Sequence, residues 1–377
     1  MNAKHQFFYF FFRHIVIAYL YIKFGYRYTL AKNLPDKYIV LSNHVTDFDV
    51  LFVAASFPRQ MYFVASEHIA RWKNAYKFLK YCFEPIMRYK GAVAASTVME
   101  VLRKIKAGAN VCIFAEGRRC WDGVTTPILP STGKMVKSAR CGLVTYKING
   151  GYFVSPNWSE GGTRRGPICG APVNVYTKEQ LQQMSVDEIN EAIRRDLYED
   201  AYETQLREPK RYTGKQLAYR MENLLFICPV CGKVDTMYSR LDTVSCKACH
   251  FKFQYNEYGM LKGAPFETVK ELAAWQKEEV RKAVLQEASY TSHDGRLSQV
   301  AKHEEMLIAT GAVCLSQETL SCGDVSISMS DILDMEMHGR HALVFSTQHG
   351  YYEMILPEDT NTLKFLLLFE GYRQKQG

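Results

Sequence analysis

The stretch YIVLSNHVTDFD, residues 38–49, decides the fold expected for this chain. It opens with the apolar run Tyr38 to Leu41, which predicts a buried strand. A polar turn follows at Asn43, and the apolar residues after Asp49 predict a helix. A buried strand that leads into a helix through a short turn is typical of α/β folds with a parallel sheet.

Other short apolar runs continue this alternation. Residues 111–114 and 143–146 are strand candidates, and helical stretches such as 96–106 lie between the strands. Residues 186–206 and 214–225 are predicted to be helical. The expected fold class is therefore α/β, with a mostly parallel sheet flanked by helices.

Charge is unevenly distributed along the chain. The sequence has 377 residues, 47% hydrophobic and 23% charged, which is typical of a globular protein with two or three domains. The formal net charge is +8. The first 35 residues hold five basic residues and no acid, and residues 71–106 hold nine basic residues against two acids. Such surfaces suit phosphate groups, but no nucleic-acid-binding motif is present, so no nucleic-acid partner is expected.

The N-terminus is aromatic and apolar over residues 6–23, with an interruption at Arg13 and His14. The run is too broken for a confident transmembrane span of about 20 apolar residues, and no signal-peptide cleavage site follows it. We predict an interfacial helix that docks on a membrane phospholipid surface; the alternative is a buried core helix. Eleven cysteines without a disulfide pattern indicate a reducing compartment. The expected location is the cytoplasmic face of a membrane, as a peripheral or monotopic protein.

His44 and Asp49 are candidate catalytic residues. Inside one helix, residues five apart would lie about 140° from each other and could not touch. If His44 lies on the turn before the helix and Asp49 in its first turn, the two can meet. The carboxylate then orients one imidazole nitrogen and leaves the other as a base, and the nucleophile can be the hydroxyl of a substrate. The alternative is purely structural, since Thr46 to Asp49 also fits a capping box.

A second motif, FAEGRR at residues 114–119, follows an apolar strand. Its glycine predicts a tight turn, and two adjacent arginines on such a loop suit a phosphate, which arginine binds through two parallel hydrogen bonds.

In this order and at this spacing, the two motifs resemble those of the glycerolipid acyltransferase family that includes 1-acylglycerol-3-phosphate acyltransferases. The family pattern Asn-His-x-x-x-x-Asp is matched by Asn43, His44 and Asp49, and its Phe-Pro-Glu-Gly-x-Arg pattern by residues 114–119, with Ala115 in place of proline. The resemblance covers roughly residues 35–205.

Two weaker family motifs are also present. Residues 85–88 end in Arg88 after an apolar run, and residues 144–148 match an apolar strand in which Thr145 stands where proline is expected. Ala115 and Thr145 are departures from the family pattern. They bear on acyl-chain preference and on the local shape of the loop more than on the chemistry.

The resemblance implies roles for the matched residues. His44 takes the proton from the acceptor hydroxyl as it attacks an acyl thioester, and Asp49 holds the imidazole. The phosphate end of the acceptor is bound by the second motif and by a nearby base, namely Arg88, Glu116, Gly117, Arg118 and Arg119. Arg118 is an unmatched extra base, and Glu116 is expected to pair with an arginine or a hydroxyl and so to shape the loop.

The expected enzyme is a 1-acylglycerol-3-phosphate O-acyltransferase, with acyl-CoA or acyl-carrier protein as the co-substrate and no catalytic cofactor. The acceptor is a lysophospholipid, and lysophosphatidic acid is preferred. Two alternatives stay open. The chain could acylate a different lysolipid, or it could be a non-catalytic membrane-docking adaptor.

Four cysteines predict a metal site. Cys228 and Cys231 form one C-x-x-C pair, Cys246 and Cys249 form another, and fourteen residues separate the pairs. Two such pairs complete a tetrahedral zinc site, and four thiolates leave no open position, so the zinc is expected to be structural. His250 is expected to be a neighbour and not a ligand. Residues 234–238 and 251–255 are predicted strands of a zinc ribbon; the rival reading is a redox dithiol.

The C-terminal part has a β-rich pattern. Residues 312–315, 325–329, 342–345 and 351–355 are strand-like, and a closing helix is expected over 360–373. This layout resembles a small pleckstrin-homology-like domain, which would bind a partner or lipid or serve only as a scaffold.

The sequence thus divides into five parts. These are a membrane-interface helix (1–35), an acyltransferase domain (36–225), a zinc ribbon (226–262), a helical linker with its helix at 266–286 (263–300), and a small β-rich domain (301–377).

Overall fold

The structure is a computed structural model that describes residues 3–66, 69, 73–88, 94–301 and 304–376. The described residues form two compact units. The first runs to Lys215 without Trp158–Gly161, and the second comprises Trp158–Gly161 and the residues from Gln216 onward. The five-part division made from the sequence stays a prediction.

The first unit alternates helices and strands. In chain order these are α1 (Ala3–Phe24), β1 (Arg27–Tyr28), β2 (Tyr38–Ser42), α2 (Asp49–Ser56), β3 (Met61–Ser66), α3 (Lys73–Phe83), β4 (Ile86–Arg88), α4 (Ala94–Lys106), β5 (Asn110–Phe114), α5 (Ser131–Ala139), β6 (Gly142–Asn149), α6 (Gly151–Val154), β7 (Cys169–Tyr176), α7 (Lys178–Gln183), α8 (Val186–Leu197) and α9 (Ala201–Arg207).

The strands form one seven-stranded sheet in the order β1-β7-β6-β2-β5-β3-β4. Only the β6–β7 pairing is antiparallel. Every residue of the central strand β2 is buried, as expected for a strand covered on both faces. Apolar side chains of the helices complete the core, among them Val101, Ile105, Ile189 and Ile193. The predicted α/β class with a mostly parallel sheet is confirmed.

Parallel pairing determines where the two sequence motifs meet. Ser42, the last residue of β2, is paired in register with Phe114, the last residue of β5. The turn that begins at Asn43 and the loop that begins at Ala115 therefore leave the sheet side by side. Functional sites in parallel sheets lie at the carboxyl ends of the strands for this reason.

Two helix predictions need correction. The helix expected over 186–206 is split into α8 and α9, because Asp200 caps a new helix by accepting from the backbone N–H groups of Tyr202 and Glu203. The helix expected over 214–225 is wrong. Gln216 and Arg220 adopt positive φ angles of 58° and 66°, which an α-helix does not tolerate, and only a short 3-10 turn is present there.

Helix α1 lies along the first unit with one stripe of side chains turned inward. His5, Tyr9, Leu20 and Phe24 are buried. At mid-helix, the Tyr9 hydroxyl donates to the Phe57 carbonyl (3.1 Å) and Arg13 donates to the Ala55 carbonyl (2.6 Å). By length and composition, α1 is also the one helix among the described residues that could cross a membrane, and 17% of its most apolar window is buried.

The second unit is rich in antiparallel sheet. Its elements are β8 (Met237–Arg240), β9 (Thr243–Cys246), β10 (Lys252–Tyr255), β11 (Leu261–Lys262), α10 (Val269–Leu285), β12 (Tyr290–Ser292), β13 (Arg296–Ala301), β14 (Glu304–Thr310), β15 (Val313–Leu315), β16 (Thr319–Cys322), β17 (Val325–Ser328), β18 (Ile332–His338), β19 (Ala342–Thr347), β20 (Gly350–Ile355) and α11 (Leu363–Gln376).

Its strands form three sheets, in the orders β11-β10-β9-β8, β12-β15-β16-β17 and β14-β13-β20-β19-β18. The predicted C-terminal β-rich part with a closing helix is therefore confirmed. The β structure begins at Tyr290, before the expected position 301, because β12 and β13 pair with later strands. The pleckstrin-homology-like character of this part stays a prediction.

Candidate active site

His44 and Asp49 meet at the carboxyl end of β2. His44 lies on the turn and Asp49 is the first residue of α2, and His44 Nδ1 is 2.7 Å from Asp49 Oδ2. An ionised carboxylate only accepts, so Nδ1 is the donor in this bond, and in the neutral imidazole Nε2 then keeps its lone pair. The imidazole side chain is 25% exposed whereas the carboxylate is 1% exposed. This geometry is that of a general base held by a buried acid.

Asp49 also holds the turn itself. Its carboxylate accepts from the backbone N–H groups of Val45 (2.7 Å) and Thr46 (3.0 Å), and from the Thr46 hydroxyl (2.6 Å). The capping box expected over Thr46 to Asp49 is not completed, because the cap of α2 is Phe48, which makes no side-chain cap hydrogen bond, and the Thr46 hydroxyl accepts from the Phe48 N–H. The bonds that Asp49 accepts fix the carboxylate against His44, so Asp49 can hold the turn and also orient the imidazole.

Phe114 supports the imidazole from the neighbouring strand. Its ring stacks on the His44 ring with centroids 4.6 Å apart and an interplanar angle of 23°. Because Phe114 is the last residue of β5, the register of β2 and β5 places this ring directly beside the turn. Together with Asp49, it leaves the imidazole little freedom to rotate.

Glu116 shapes the second loop from inside. Its carboxylate accepts from the backbone N–H of His44 (2.7 Å), from the backbone N–H of Thr126 (2.6 Å) and from the Thr126 hydroxyl (2.9 Å). Burial raises the pKa of Glu116, and these hydrogen bonds act in the opposite direction. The residue pairs with a hydroxyl, as the sequence suggested, and fastens the second loop to the backbone of His44.

Arg119 is buried and engaged by three protein acceptors. It donates to the Val45 carbonyl (3.3 Å), to the Asp47 carboxylate (2.8 Å) and to the Ser155 carbonyl (2.5 Å). The guanidinium therefore holds the His44 turn through Val45 and Asp47 and joins it to Ser155. Asp47 is exposed, so it is the acceptor that an incoming phosphate could replace most readily.

Arg88 reaches the same loop from the end of β4. Its Nη1 donates to the Gly117 carbonyl at 2.6 Å. Gly117 has a φ of +69°, a conformation that favours glycine, and a Cβ there would lie 2.8 Å from Arg88 Nη1, so a larger residue would displace the end of the Arg88 side chain. Arg118 is half-buried on this loop. The structure thus brings Arg88, Gly117 and Arg119 to one loop, while Glu116 faces inward.

Both departures from the family pattern have local explanations. The Ala115 backbone N–H donates to the Ser42 carbonyl at 3.2 Å, a bond that a proline could not make. The Thr145 hydroxyl donates to Asp196 at 2.8 Å and accepts from the Asn174 N–H at 3.1 Å. These bonds help to join β6 with β7 and α8.

Glu199 is a residue of this region that sequence reasoning missed. Its carboxylate accepts from Asn43 Nδ2 at 2.9 Å, and the same amide exchanges two hydrogen bonds with the backbone of Ile148. Glu199 is enclosed by protein, and burial raises its pKa to about 8. An acid that immediately precedes a helix cap gives no local signal of this role, because its partner is 156 positions away in sequence.

The second unit contains a candidate metal centre. The Sγ atoms of Cys228, Cys231, Cys246 and Cys249 all lie within 4.8 Å of one another. Cys228 and Cys249 are 3.7 Å apart, and Cys231 and Cys246 are 3.8 Å apart. Four sulfurs at tetrahedral positions around zinc, with bonds of about 2.3 Å, would be about 3.8 Å apart. The four cysteines can therefore hold a zinc ion.

The backbone around these cysteines also fits a ribbon. Residues 228–232 form a tight turn. Gly232 closes it, because its N–H donates to the Cys228 carbonyl at 2.9 Å. His250 also adopts a positive φ, of 61°, and follows the second pair. It lies outside the group of potential ligands found among the described residues.

One comparison with known protein families agrees with the motifs. The Acyltransferase family model matches residues 26–149, and no curated protein sequence matches this chain. Among solved structures, the chain is similar to the 1-acyl-sn-glycerophosphate (LPA) acyltransferase PlsC from Thermotoga maritima, with 15% identity and a TM-score of 0.44 over 52% of this chain and 78% of that chain. It is also similar to the N-terminal PH domain of human ARAP2, with 10% identity and a TM-score of 0.19 over 23% of this chain and 81% of that chain.

The matched segment includes both motifs, with His44, Asp49, Arg88 and the 114–119 loop inside it. Residues 26–149 are therefore an acyltransferase-family domain, and the family predicted from the sequence is confirmed.

Proposed function

We propose that this protein transfers a fatty acyl group from a thioester to the free hydroxyl of a lysophospholipid, converting lysophosphatidic acid to phosphatidic acid. The single observation that carries the proposal is the His44–Asp49 pair, with Nδ1 held at 2.7 Å by a buried carboxylate and the ring partly exposed. Such a pair is suited to deprotonate an alcohol.

The reaction needs no nucleophile from the protein. His44 Nε2 removes the proton of the acceptor hydroxyl while its oxygen attacks the thioester carbonyl carbon. The resulting tetrahedral intermediate collapses, the carbon–sulfur bond breaks, and the leaving thiolate takes the proton back from Nε2. Asp49 stabilises the imidazolium in between, as in hydrolases that pair histidine with aspartate.

The acceptor assignment rests on the arginines at the second loop. Arg88, Arg118 and Arg119 all lie on or beside this loop, which Glu116 fastens to the backbone of His44. A phosphate gripped there would leave the glycerol hydroxyl near the imidazole. The donor is acyl-CoA or acyl-carrier protein, both of which present a thioester.

A lipid acceptor also requires contact with a bilayer. We propose a peripheral or monotopic protein at the cytoplasmic face of a membrane, docked through residues 6–23. In support of this, α1 is mostly unburied yet held along the first unit by Tyr9 and Arg13.

Turnover by the purified full-length protein tests this function. Labelled acyl-CoA or acyl-carrier protein would be supplied with lysophosphatidic acid, lysophosphatidylcholine and lysophosphatidylethanolamine in parallel. We expect acylated product with at least one donor, and fastest with lysophosphatidic acid. If another lysolipid is acylated fastest, only the proposed identity of the acceptor would change. No product with any pair would favour the non-catalytic adaptor.

A further inference from the structure

Glu199 lies in the break between helices α8 and α9, outside the segment that matches the family model. The Ala201 N–H donates to the Gly123 carbonyl at 2.9 Å, and Asp200 forms an antiparallel β-bridge with Val124. These contacts hold the break against the chain that follows the second motif. The interruption of the helix therefore brings a buried carboxyl group to the candidate active site.

Asn43 is the partner of this carboxyl group. Its Nδ2 donates to Glu199 Oε2 and to the Ile148 carbonyl, both at 2.9 Å, and its Oδ1 accepts from the Ile148 N–H at 2.8 Å. Both ends of the amide therefore have protein partners, which fixes its plane. Because Asn43 directly precedes His44, the amide also fixes the point from which the His44 turn leaves β2.

A second connection joins Glu199 to the same turn. The Glu199 N–H donates to the Thr125 hydroxyl at 2.8 Å, and the Thr125 N–H donates to the Glu199 carbonyl at 3.0 Å. The next residue, Thr126, donates to Glu116, which also accepts from the His44 N–H. Together with the amide contact, this connection closes a ring of bonded residues that begins and ends at the turn.

The charge state of Glu199 also suits this position. Burial raises the pKa of Glu199 to about 8, opposed by a hydrogen bond from the Gly150 backbone, and the carboxylates of Glu116 and Asp49 add to the rise. The group is therefore mostly protonated at neutral pH. It can accept from the amide without placing a third negative charge near the imidazole.

We propose that Glu199 is a positioning residue for the acyl transfer and acts through Asn43 to hold the turn that carries His44. The inference rests on the proposed function for its purpose. A misplacement of about 1 Å in a catalytic group can cost on the order of 10²-fold in rate. A loosened turn should therefore lower kcat and leave the KM of both substrates nearly unchanged.

Steady-state kinetics of the full-length protein test the proposal, with lysophosphatidic acid as acceptor and acyl-CoA or acyl-carrier protein as donor. Glu199→Leu keeps a side chain of similar size and removes the acceptor, so kcat should fall about tenfold or more. Glu199→Gln keeps a neutral acceptor and should restore most of the wild-type kcat. Thr125→Val removes only the hydroxyl contact with the Glu199 backbone and should lower kcat in the same direction, but less.

Two comparisons separate positioning from a general loss of stability. The matched control Asp196→Asn changes another buried acid of the same segment, whose carboxylate accepts from Thr145 and Tyr176, and should keep the wild-type kcat. Glu199→Leu and Asn43→Ala form a double-mutant cycle. If Glu199 acts through Asn43, the double variant should be no slower than Asn43→Ala alone.

The possible results distinguish this inference from the proposed function. With an active wild type, an unchanged kcat in Glu199→Leu, or additive losses in the cycle, would overturn the positioning role and leave the function in place. So would a Glu199→Gln protein as slow as Glu199→Leu. If Glu199→Leu does not fold, an unchanged kcat in Thr125→Val would overturn the role. A wild type that acylates no acceptor with either donor would overturn the function, and the positioning role with it.

Discussion

At the scale of single residues, His44 is restrained from three directions. Asp49 holds Nδ1, Phe114 stacks on the ring, and Glu116 accepts from the backbone N–H of His44. Phe114 and Glu116 belong to the 114–119 segment and Asp49 to the first turn of α2, and two of the three restraints are buried carboxylates. Such preorganisation lowers the cost of placing a base beside its substrate.

Arg119 and Asp47 give a paired prediction about the acceptor. Arg119→Ala should raise the KM for lysophosphatidic acid about tenfold or more, because a charged hydrogen bond contributes about 1.5–3 kcal/mol, with little change in the donor KM. Asp47→Ala leaves the bonds of Arg119 to the Val45 and Ser155 carbonyls in place and removes only the competing carboxylate. Its acceptor KM should stay equal or fall. A rise confined to the donor KM in Arg119→Ala would assign the arginine to the other substrate.

Glu199 predicts a specific pH dependence of stability. Its pKa rises from 4.5 in a model peptide to about 8 in the fold, because burial penalises the charged form. The folded state therefore holds a proton that the unfolded state releases. The stability from this group is fully present below pH 4.5 and is lost as pH rises through about 8.

The variant Glu199→Gln isolates this effect. Thermal unfolding measured at pH 6 and pH 8.5 should show the variant gaining stability relative to wild type as pH increases. If both proteins lose stability in parallel between these pH values, burial does not raise the pKa of Glu199 as expected.

At the scale of elements, the sequence predicts those helices and strands whose formation depends mainly on residues close together in the chain. Strands β2, β5 and β6 were predictable, since their apolar runs are short, continuous and buried. The helix expected over 214–225 fails because tertiary contacts hold Gln216 and Arg220 at positive φ. The clamp of Glu199 on Asn43, and the exposure of Phe78 and Tyr81 beside α1, arise from segments far apart in sequence. No local pattern reveals such contacts.

The four-cysteine cluster of Cys228, Cys231, Cys246 and Cys249 leads to a prediction about zinc. The purified protein should contain about one zinc per chain, and Cys246→Ser should lower both zinc content and the midpoint of thermal unfolding, because structural zinc contributes directly to folding. Cys314→Ser, in β15, is the matched control and should change neither. Metal analysis that finds no zinc in protein purified without chelator would contradict the assignment.

At the scale of the whole molecule, the proposed chemistry is confined to the first unit. His44, Asp49, Arg88 and the 114–119 loop all belong to it, whereas the four-cysteine cluster and the C-terminal sheets belong to the second. This division predicts that loss of zinc affects stability before it affects the rate of the chemical step. We propose that the rate itself depends on His44, so variants of this residue test the proposed function most directly.

The most direct measurement is the rate of phosphatidic acid formation by wild type, His44→Ala and Asp49→Asn at equal concentrations of folded protein. We expect His44→Ala to be slower by about 10²–10⁴-fold, and Asp49→Asn to be strongly impaired because it loses the charge that orients and stabilises the imidazole. Near-ultraviolet circular dichroism should show that His44→Ala keeps the wild-type fold. A folded His44→Ala protein that acylates at the wild-type rate would show that His44 is not the base of this reaction.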